Sequence, residues 1–600
     1  MDASYLDLVR DLLKSGDVDA ALNALRQAIE KGDGQACRYL GNLYMEGRYV
    51  SQDVDRAKAY YIKGAQLGDS ECADRMDMPV IRIGKHGEMR PTKQNIRDLY
   101  RLASKGYADP LIILTGASEV FPRFFEDHTG QIRFFFEQAL DQHPERVDLR
   151  IACAYFLLSR NKDPLQLKKV LEILQPLVEN GMTEGAVLYI DVVMRFVNIR
   201  NAAPVLDKAL SLIRKAHPDL YYMFSGYFCL LNLDGPGAFA LFEEGSAKKI
   251  DQATVGLGYC YLHGIGTSVD HQKAKELLEP HKHQFVSVPA YLARIEMLED
   301  PQQPRIDQAM NYLNTAEDME YSYFYEDLCS WLLMCKQRQI PLDEKWDKRL
   351  VEICDEGLCY GSDSLAEWPM IAELPLSEEA LACIKDDAYI KEGEAKSPMG
   401  LFHYMRKFGF QDYGDTNGCL FKLVGSNRLD WDLRCEWAIT ALLSESTWLR
   451  RKLFSRGYYL DMAKKLSQGR YDKEVLLCQH LSAILDGLDS HDASAEVNQF
   501  LSCYLDYKGE PVAEYLYAWI EAGGLLGELD RQRCAERIRR IPNCSIPYFH
   551  ELRAELLDRV GGSKAFANWL RYNGKAYMER ELTARMLCGI TAMPLLHFEP

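Results

Sequence analysis

The chain has 600 residues, a formal net charge of −17 at pH 7, 47% hydrophobic residues and 26% charged residues. That length exceeds one compact core, so the chain divides into domains or extends as a repeat array, and the composition is that of a folded protein. The negative charge opposes general binding to phosphate backbones or anionic membranes, and the longest apolar stretch, around 221–233, is interrupted and too short to span a bilayer.

The opening residues, MDASYLDLVRDLLKSGD, are acidic and amphipathic, without the apolar run of a signal peptide. The 17 cysteines are odd in number and contain no CxxC pair, a pattern expected of reduced thiols in a cytoplasm. A half repeat opens the chain: a helix, a Ser15-Gly16-Asp17 turn, then a helix ending at Lys31-Gly32-Asp33. The period shows in three pairs of positions 36 residues apart, Ala21 and Ala57, Gly32 and Gly68, Ala36 and Cys72.

The first full unit is ACRYLGNLYMEGRYVSQDVDRA, residues 36–57. Ala36, Tyr39, Leu40, Leu43 and Tyr44 fall on one helical face. Gly47 can end that helix at positive φ, and Asp53 or Asp55 can cap the next one. Gly41, Ala57 and Ala65 are small enough for close helix approach, and Gly68 closes the unit. A near-copy, ATVGLGYCYLHGIGTSVDHQKA, stands at 253–274. Ala253, Leu257, Gly258, Tyr261, Gly264, Asp270 and Ala274 repeat Ala36, Leu40, Gly41, Tyr44, Gly47, Asp53 and Ala57 with identical spacing. An isolated helix pair would leave one face bare, and stacking the next pair covers it.

These two copies resemble the Sel1-like repeat family, a subclass of the tetratricopeptide-type helical solenoids. Its pattern is roughly A-x3-LG-x2-Y-x2-G-x-G followed by D-x2-KA. The second copy matches best, with Gly264-Ile265-Gly266 and Asp270-His271-Gln272-Lys273-Ala274; the first has Tyr49 at the second glycine and Arg56 for the lysine. The resemblance implies a right-handed superhelical α-solenoid that assembles protein complexes, often in bacterial signalling, envelope or host-interaction systems. One Sel1-like member is the periplasmic scaffold lipoprotein of alginate secretion, and this resemblance raises an exopolysaccharide role, here a cytoplasmic one, as an alternative.

Between the copies, helices are expected at 93–106, 131–140, 147–159, 165–181 and 184–196, with 76–92 an irregular replacement for one helix. After the second copy, 289–298 and 306–316 form a further pair, followed by 321–336. Residues 337–400 are broken by Pro and Gly and turn polar, so a domain boundary is expected near 385–400. Beyond it, helical patterns recur at 431–443, 446–467, 472–487, 493–506, 511–522, 529–540, 548–559 and 563–581, and 413–425 reads as a loop or short hairpin. The expected organisation is therefore all-α: a solenoid over 1–336, an irregular connection over 337–400, and a helical domain or degenerate solenoid over 401–600.

Few residues suggest chemistry. His263, His271, His281 and His283 lack ligand spacing and read as exposed or capping residues, so no metal is expected. Cys329, Cys335, Cys354 and Cys359 are separated by intervals unlike zinc-finger spacings and read as buried small hydrophobes. Arg533, Arg537 and Arg540 share a helical face that could hold an acidic partner or phosphate, or be solvated or paired internally, and Arg450-Arg451-Lys452 is a second basic run. Phe134–Phe136 and Tyr321, Tyr323, Phe324 and Tyr325 read as inter-repeat core or as a recognition surface. Tyr44 and Tyr261 read as packing residues. No nucleophile elbow, zinc-protease motif, Walker loop or dinucleotide fingerprint is present, and Gly264-Ile265-Gly266 belongs to a helix–helix turn. The expectation is a non-enzymatic scaffold with one or more protein partners, no cofactor, no nucleic acid and no membrane insertion. Its rival is a ligand-responsive regulator or enzyme with a site in 401–600.

Overall fold

The computed structural model describes residues 4–47, 49–75, 82–83, 89–117, 121–160, 164–195, 205–300, 303–319, 323–385, 397–408, 413–446 and 456–590. The chain forms two compact units, Met1–Phe224 and Ser225–Pro600. Both are arrays of antiparallel helix pairs, an α-solenoid architecture. In the first unit the pairs run from Ser4–Lys14 with Val18–Glu30 and Gly34–Glu46 with Val54–Gln66 to Thr183–Arg195 with Leu206–Ala216. A two-stranded antiparallel ladder, Arg82–Ile83 with Met89–Arg90, lies within the stretch expected to be irregular, whose residues 76–81 and 84–88 fall outside the described set.

Local chemistry explains the repeat spacing. Gly47 and Gly264 end their helices at φ 69° and 65°, donating to the carbonyls of Leu43 and Cys260. The left-handed turn brings the chain back so that the Asp53 N–H reaches the Tyr44 carbonyl at 2.9 Å, and Asp270 reaches Tyr261 at 3.0 Å. Each aspartate then caps the next helix: Asp53 Oδ1 accepts from the Arg56 N–H at 3.0 Å and Asp270 Oδ1 from Lys273 at 2.9 Å. Glycine at the turn and aspartate six residues later are thus one device, because the cap works only if the turn is left-handed.

Glycine also sets how closely the paired helices pack. A Cβ at Gly41 would lie 2.5 Å from Tyr61 Cε1, and one at Gly258 would lie 2.7 Å from Leu278 Cγ. The close-approach role expected of Ala65 belongs instead to Gly64, where a Cβ would lie 2.3 Å from Cys72 Sγ; Ala65 is only half-buried. Around these contacts Ala36, Leu40, Tyr44, Ala57 and Tyr61 form the local core.

In the second unit the repeat copy leads into Val288–Leu298 with Ile306–Asp318, then Phe324–Gln337 with Glu344–Cys359. Residues 337–400 are therefore not irregular throughout. Glu344–Cys359 is a helix of 16 residues that buries Leu350, Ile353, Cys354 and Leu358, a 3.6-residue periodicity obscured by its charged outer face. Residues 386–396 of the expected linker lie outside the described set. Tyr413–Gly425 is a helix, not a loop or hairpin. Burial of Leu420, Leu423 and Val424 outweighs the roughly 1 kcal/mol that a helical glycine costs. Trp431–Ser444, Arg456–Ser467, Asp472–Asp489, Ser494–Tyr504, Pro511–Ala522, Arg531–Arg540, Phe549–Arg559 and Lys564–Tyr577 follow.

The second unit runs across the stretch where the sequence suggested a boundary. Phe324–Gln337, on one side of that stretch, packs against Thr583–Gly589 on the other. Buried polar groups hold the same junction. Arg294 donates to the Cys588 carbonyl at 2.5 Å and to that of Ile590 at 3.2 Å, and pairs with Asp430. His263 Nδ1 lies 3.2 Å from Asp430 Oδ1, and the Asp430 N–H donates to the Gly589 carbonyl at 2.9 Å. Burial disfavours the charge on Asp430, but Arg294 outweighs it and holds the carboxyl below its usual range.

Gly258→Ala should lower the denaturation midpoint of the second unit, at a cost of about 1–3 kcal/mol for the displaced Leu278 side chain. Gly130→Ala, at a helical site with no atom near the added methyl, should be neutral or stabilising. A Gly258→Ala midpoint equal to that of the parent chain in chemical denaturation would contradict the packing account.

Candidate functional site

The first helices of successive pairs line a groove of about 790 Å³ in the first unit, and its residues follow from helical geometry. On Gly34–Glu46 the signature residues Ala36, Leu40 and Tyr44 turn into the core. The positions between them, Gln35, Arg38, Tyr39 and Asn42, form the opposite stripe and face the groove. Leu6 and Arg10 come from the preceding pair; Glu71, Arg75, Arg146, Asp148, Ile151, Met182 and Glu184 come from later ones.

A ladder of charges crosses the floor. Arg75 Nε lies 2.5 Å from Asp109 Oδ2, and its Nη1 donates to Asn42 Oδ1 at 2.6 Å. Tyr61, below, donates to the same oxygen at 2.9 Å. Arg146 meets Asp109 Oδ1 at 2.7 Å, Glu71 Oε2 at 3.0 Å and Asp148 Oδ2 at 2.5 Å. Arg38 also pairs with Glu71 and sits 3.5 Å from Asp69. Asp109 is only 4% exposed, so desolvation disfavours its charge; Arg75 and Arg146 outweigh that term and hold the carboxyl below the usual range. Asp109 in turn outweighs the burial of Arg75 and raises that guanidinium further.

This floor joins five helices through bonds that are already satisfied, which fixes side-chain positions before any ligand arrives. Leu6, Tyr39, Ile151 and Met182 add apolar surface. The groove thus sets rigid polar groups beside apolar surface.

The residues singled out in the sequence are dispersed. Arg533, Arg537 and Arg540 lie on Arg531–Arg540 in the second unit and do not share one open face. Arg537 turns inward to Glu521 at 3.1 Å and over the Tyr517 ring, whereas Arg533 and Arg540 remain exposed. The Arg450–Lys452 run lies outside the described residues. His263 is buried against Asp430, not exposed, and burial lowers its pKa. His281 bonds Gln284. Among the described residues no group of three or more His, Cys, Asp or Glu side chains could hold a metal ion.

Cys329 and Cys354 lie in the core with sulfurs 3.3 Å apart, but Cys359 is exposed, contrary to its reading as a buried hydrophobe. Phe135, Phe136 and Phe324 are core residues, whereas Phe134 is exposed and Tyr323 lies beneath Arg428. Tyr321 falls outside the described residues. A second cleft, of about 670 Å³, lies between the Gly264–Val269 and Lys464–Asp472 turns of the second unit. There the Gly266 N–H is taken by Gln468 Oε1 at 3.1 Å.

The groove residues were missed because the signature positions specify packing, and the stripe between them carries no fixed motif. The i, i+3, i+4, i+7 set of Gln35, Arg38, Tyr39 and Asn42 was the available signal.

Because the folded pKa of Asp109 lies below its unfolded value, its stabilisation is complete above the ordinary carboxylate range and is lost as pH falls through the folded value. Asp109→Ala should destabilise the first unit by about 3–5 kcal/mol at neutral pH by removing the buried carboxylate that faces Arg75, while Arg146 keeps Glu71 and Asp148. It should also shallow the loss of stability below about pH 4. Denaturation at several pH values checks both; an unchanged acid limb would refute the assignment.

The Sel1 repeat family model matches residues 34–69 and 251–280. Among solved structures, one match is a protective antigen present in uropathogenic Escherichia coli strains and displaying an SLR fold. It has 18% identity and a TM-score of 0.33, covering 63% of this chain and 75% of that one. Another is a Sel1 repeat protein from Oxalobacter formigenes, with 17% identity and a TM-score of 0.25, covering 49% of this chain and 92% of that one. No curated protein matches the chain. The two sequence copies, with their shared turn, cap and close-packed glycine, are Sel1 repeats.

Proposed function

We propose that the protein is a non-catalytic interaction scaffold whose first unit seats an extended segment of a partner protein in the groove floored by Arg38, Arg75 and Arg146. Sel1 repeats typically mediate protein–protein interaction, and no described helix is long and apolar enough to cross a membrane. The observation that carries the reading is the groove itself: side chains from consecutive helix pairs converge on one space of about 790 Å³, with the cations and anions of the floor already paired. A partner backbone there meets preorganised donors and acceptors and loses little affinity to their ordering. Apolar partner side chains against Tyr39, Ile151 and Met182 would supply most of the binding energy.

All 17 cysteines are unpaired thiols, and most are buried. This favours a reducing compartment, in keeping with a cytoplasmic scaffold.

A Met182→Glu variant should keep its thermal transition, because that side chain is 40% exposed at the groove surface. It should lose at least about tenfold in affinity for a partner that tagged full-length protein retains from native lysate, as expected when a hot-spot anchor is removed. Undiminished binding by the folded variant would exclude the groove as the docking site.

A further inference from the structure

The second unit carries a separate surface, made by Arg531–Arg540 and Lys564–Tyr577, whose composition departs from the rest of the chain. The first of these helices has five arginines and one glutamate; the second has Lys564, Arg571 and Lys575 and no acidic residue. Eight cations to one anion on two helices stand against a net charge of −17 overall.

Aromatic side chains stand on the same surface. Lys564–Tyr577 buries Ala567, Leu570 and Gly574 and presents Phe566, Trp569 and Tyr572 at three-residue intervals on another face. Trp569 is 50% exposed and Tyr572 74% exposed. The Phe566 and Trp569 rings stack, with centroids 5.1 Å apart and planes 19° from parallel. Arg539 of the other helix lies 5.8 Å from the Phe566 ring centroid, so the two helices form one patch. Arg533 and Arg540 are exposed on the same helix as Arg539.

Intramolecular pairing only partly offsets this charge. Arg537 turns inward to Glu521, which Arg533 approaches at 3.9 Å; Arg540 and Arg539 reach Glu536, Arg571 reaches Asp558 and Glu555, and Lys575 lies 3.8 Å from Glu579. Such exposed pairs contribute little and exchange readily for a partner's carboxylates. Exposed Trp, Tyr and Arg together are the residue types that anchor protein interfaces.

We propose that this patch docks an acidic, apolar-bearing segment of a partner protein, with carboxylates on Arg533, Arg539 and Arg540 and an apolar side chain on Trp569 and Tyr572. Charge complementarity selects that occupant. A nucleic acid would also find cations and rings, but its dense phosphate charge meets the repulsive field of a strongly acidic chain, whereas a short peptide carries far less. The patch is distinct from the groove of the first unit and does not depend on it.

The test uses full-length protein and fluorescence anisotropy with four labelled probes: a peptide of repeating Glu-Leu-Asp-Phe, the same peptide with Ser and Gly at its apolar positions, a charge-reversed Lys-Leu-Arg-Phe peptide, and an oligo-dT strand. The first should bind saturably and the other three weakly. Its affinity should fall at least about tenfold in Trp569→Ala/Tyr572→Ala and in Arg533→Glu/Arg540→Glu, and stay unchanged in Gly130→Ala. No saturable binding of the first peptide, equal affinity in the patch variants, or tighter binding of oligo-dT would overturn the proposal.

Discussion

Each Sel1 repeat depends on two helices approaching closely enough that one of them has no room for a side chain. At Gly258 an added methyl would meet Leu278, and at Gly41 it would meet Tyr61. Close approach buries Leu257, Ala274 and Leu278 in one copy and Leu40, Ala57 and Tyr61 in the other. The left-handed glycine and the capping aspartate then set the second helix at the angle that makes this contact. What the pair cannot bury alone it must bury against its neighbour, so the repeat is a unit of stacking rather than a free-standing fold.

Stacking has a functional consequence in the first unit. Once the signature residues are spent on packing, the stripe between them is free to vary, and successive stripes converge on a groove. There Arg75, Arg146 and Asp109 form a floor that is structural and at the same time sets the chemistry a ligand meets. Burial gives this ladder its consequence: a charge lost from it leaves partners that water cannot reach. Arg294 does comparable work in the second unit, where it ties backbone carbonyls near residue 590 to Asp430.

Much of the fold was legible because periodicity, glycine and capping residues act locally. Gly47, Asp53, Gly264 and Asp270 occupy the turns and caps their chemistry predicts. What could not be read locally depends on distant residues. Tyr413–Gly425 looks like a loop until the burial of Leu420 and Leu423 is known. The helix Glu344–Cys359 hides behind its charged face, and the packing of Phe324–Gln337 against Thr583–Gly589 joins segments far apart in sequence. The groove was illegible for a further reason. Arg38, Arg75 and Arg146 are unremarkable singly and acquire meaning only where they meet Glu71 and Asp109.

The most direct test of the scaffold reading is hydrogen–deuterium exchange of the full chain with and without its captured partner. The account predicts slowed exchange confined, in the first unit, to segments around 35–42, 71–75, 146–151 and 182–184. Protection by the partner that leaves all four segments unchanged would contradict it.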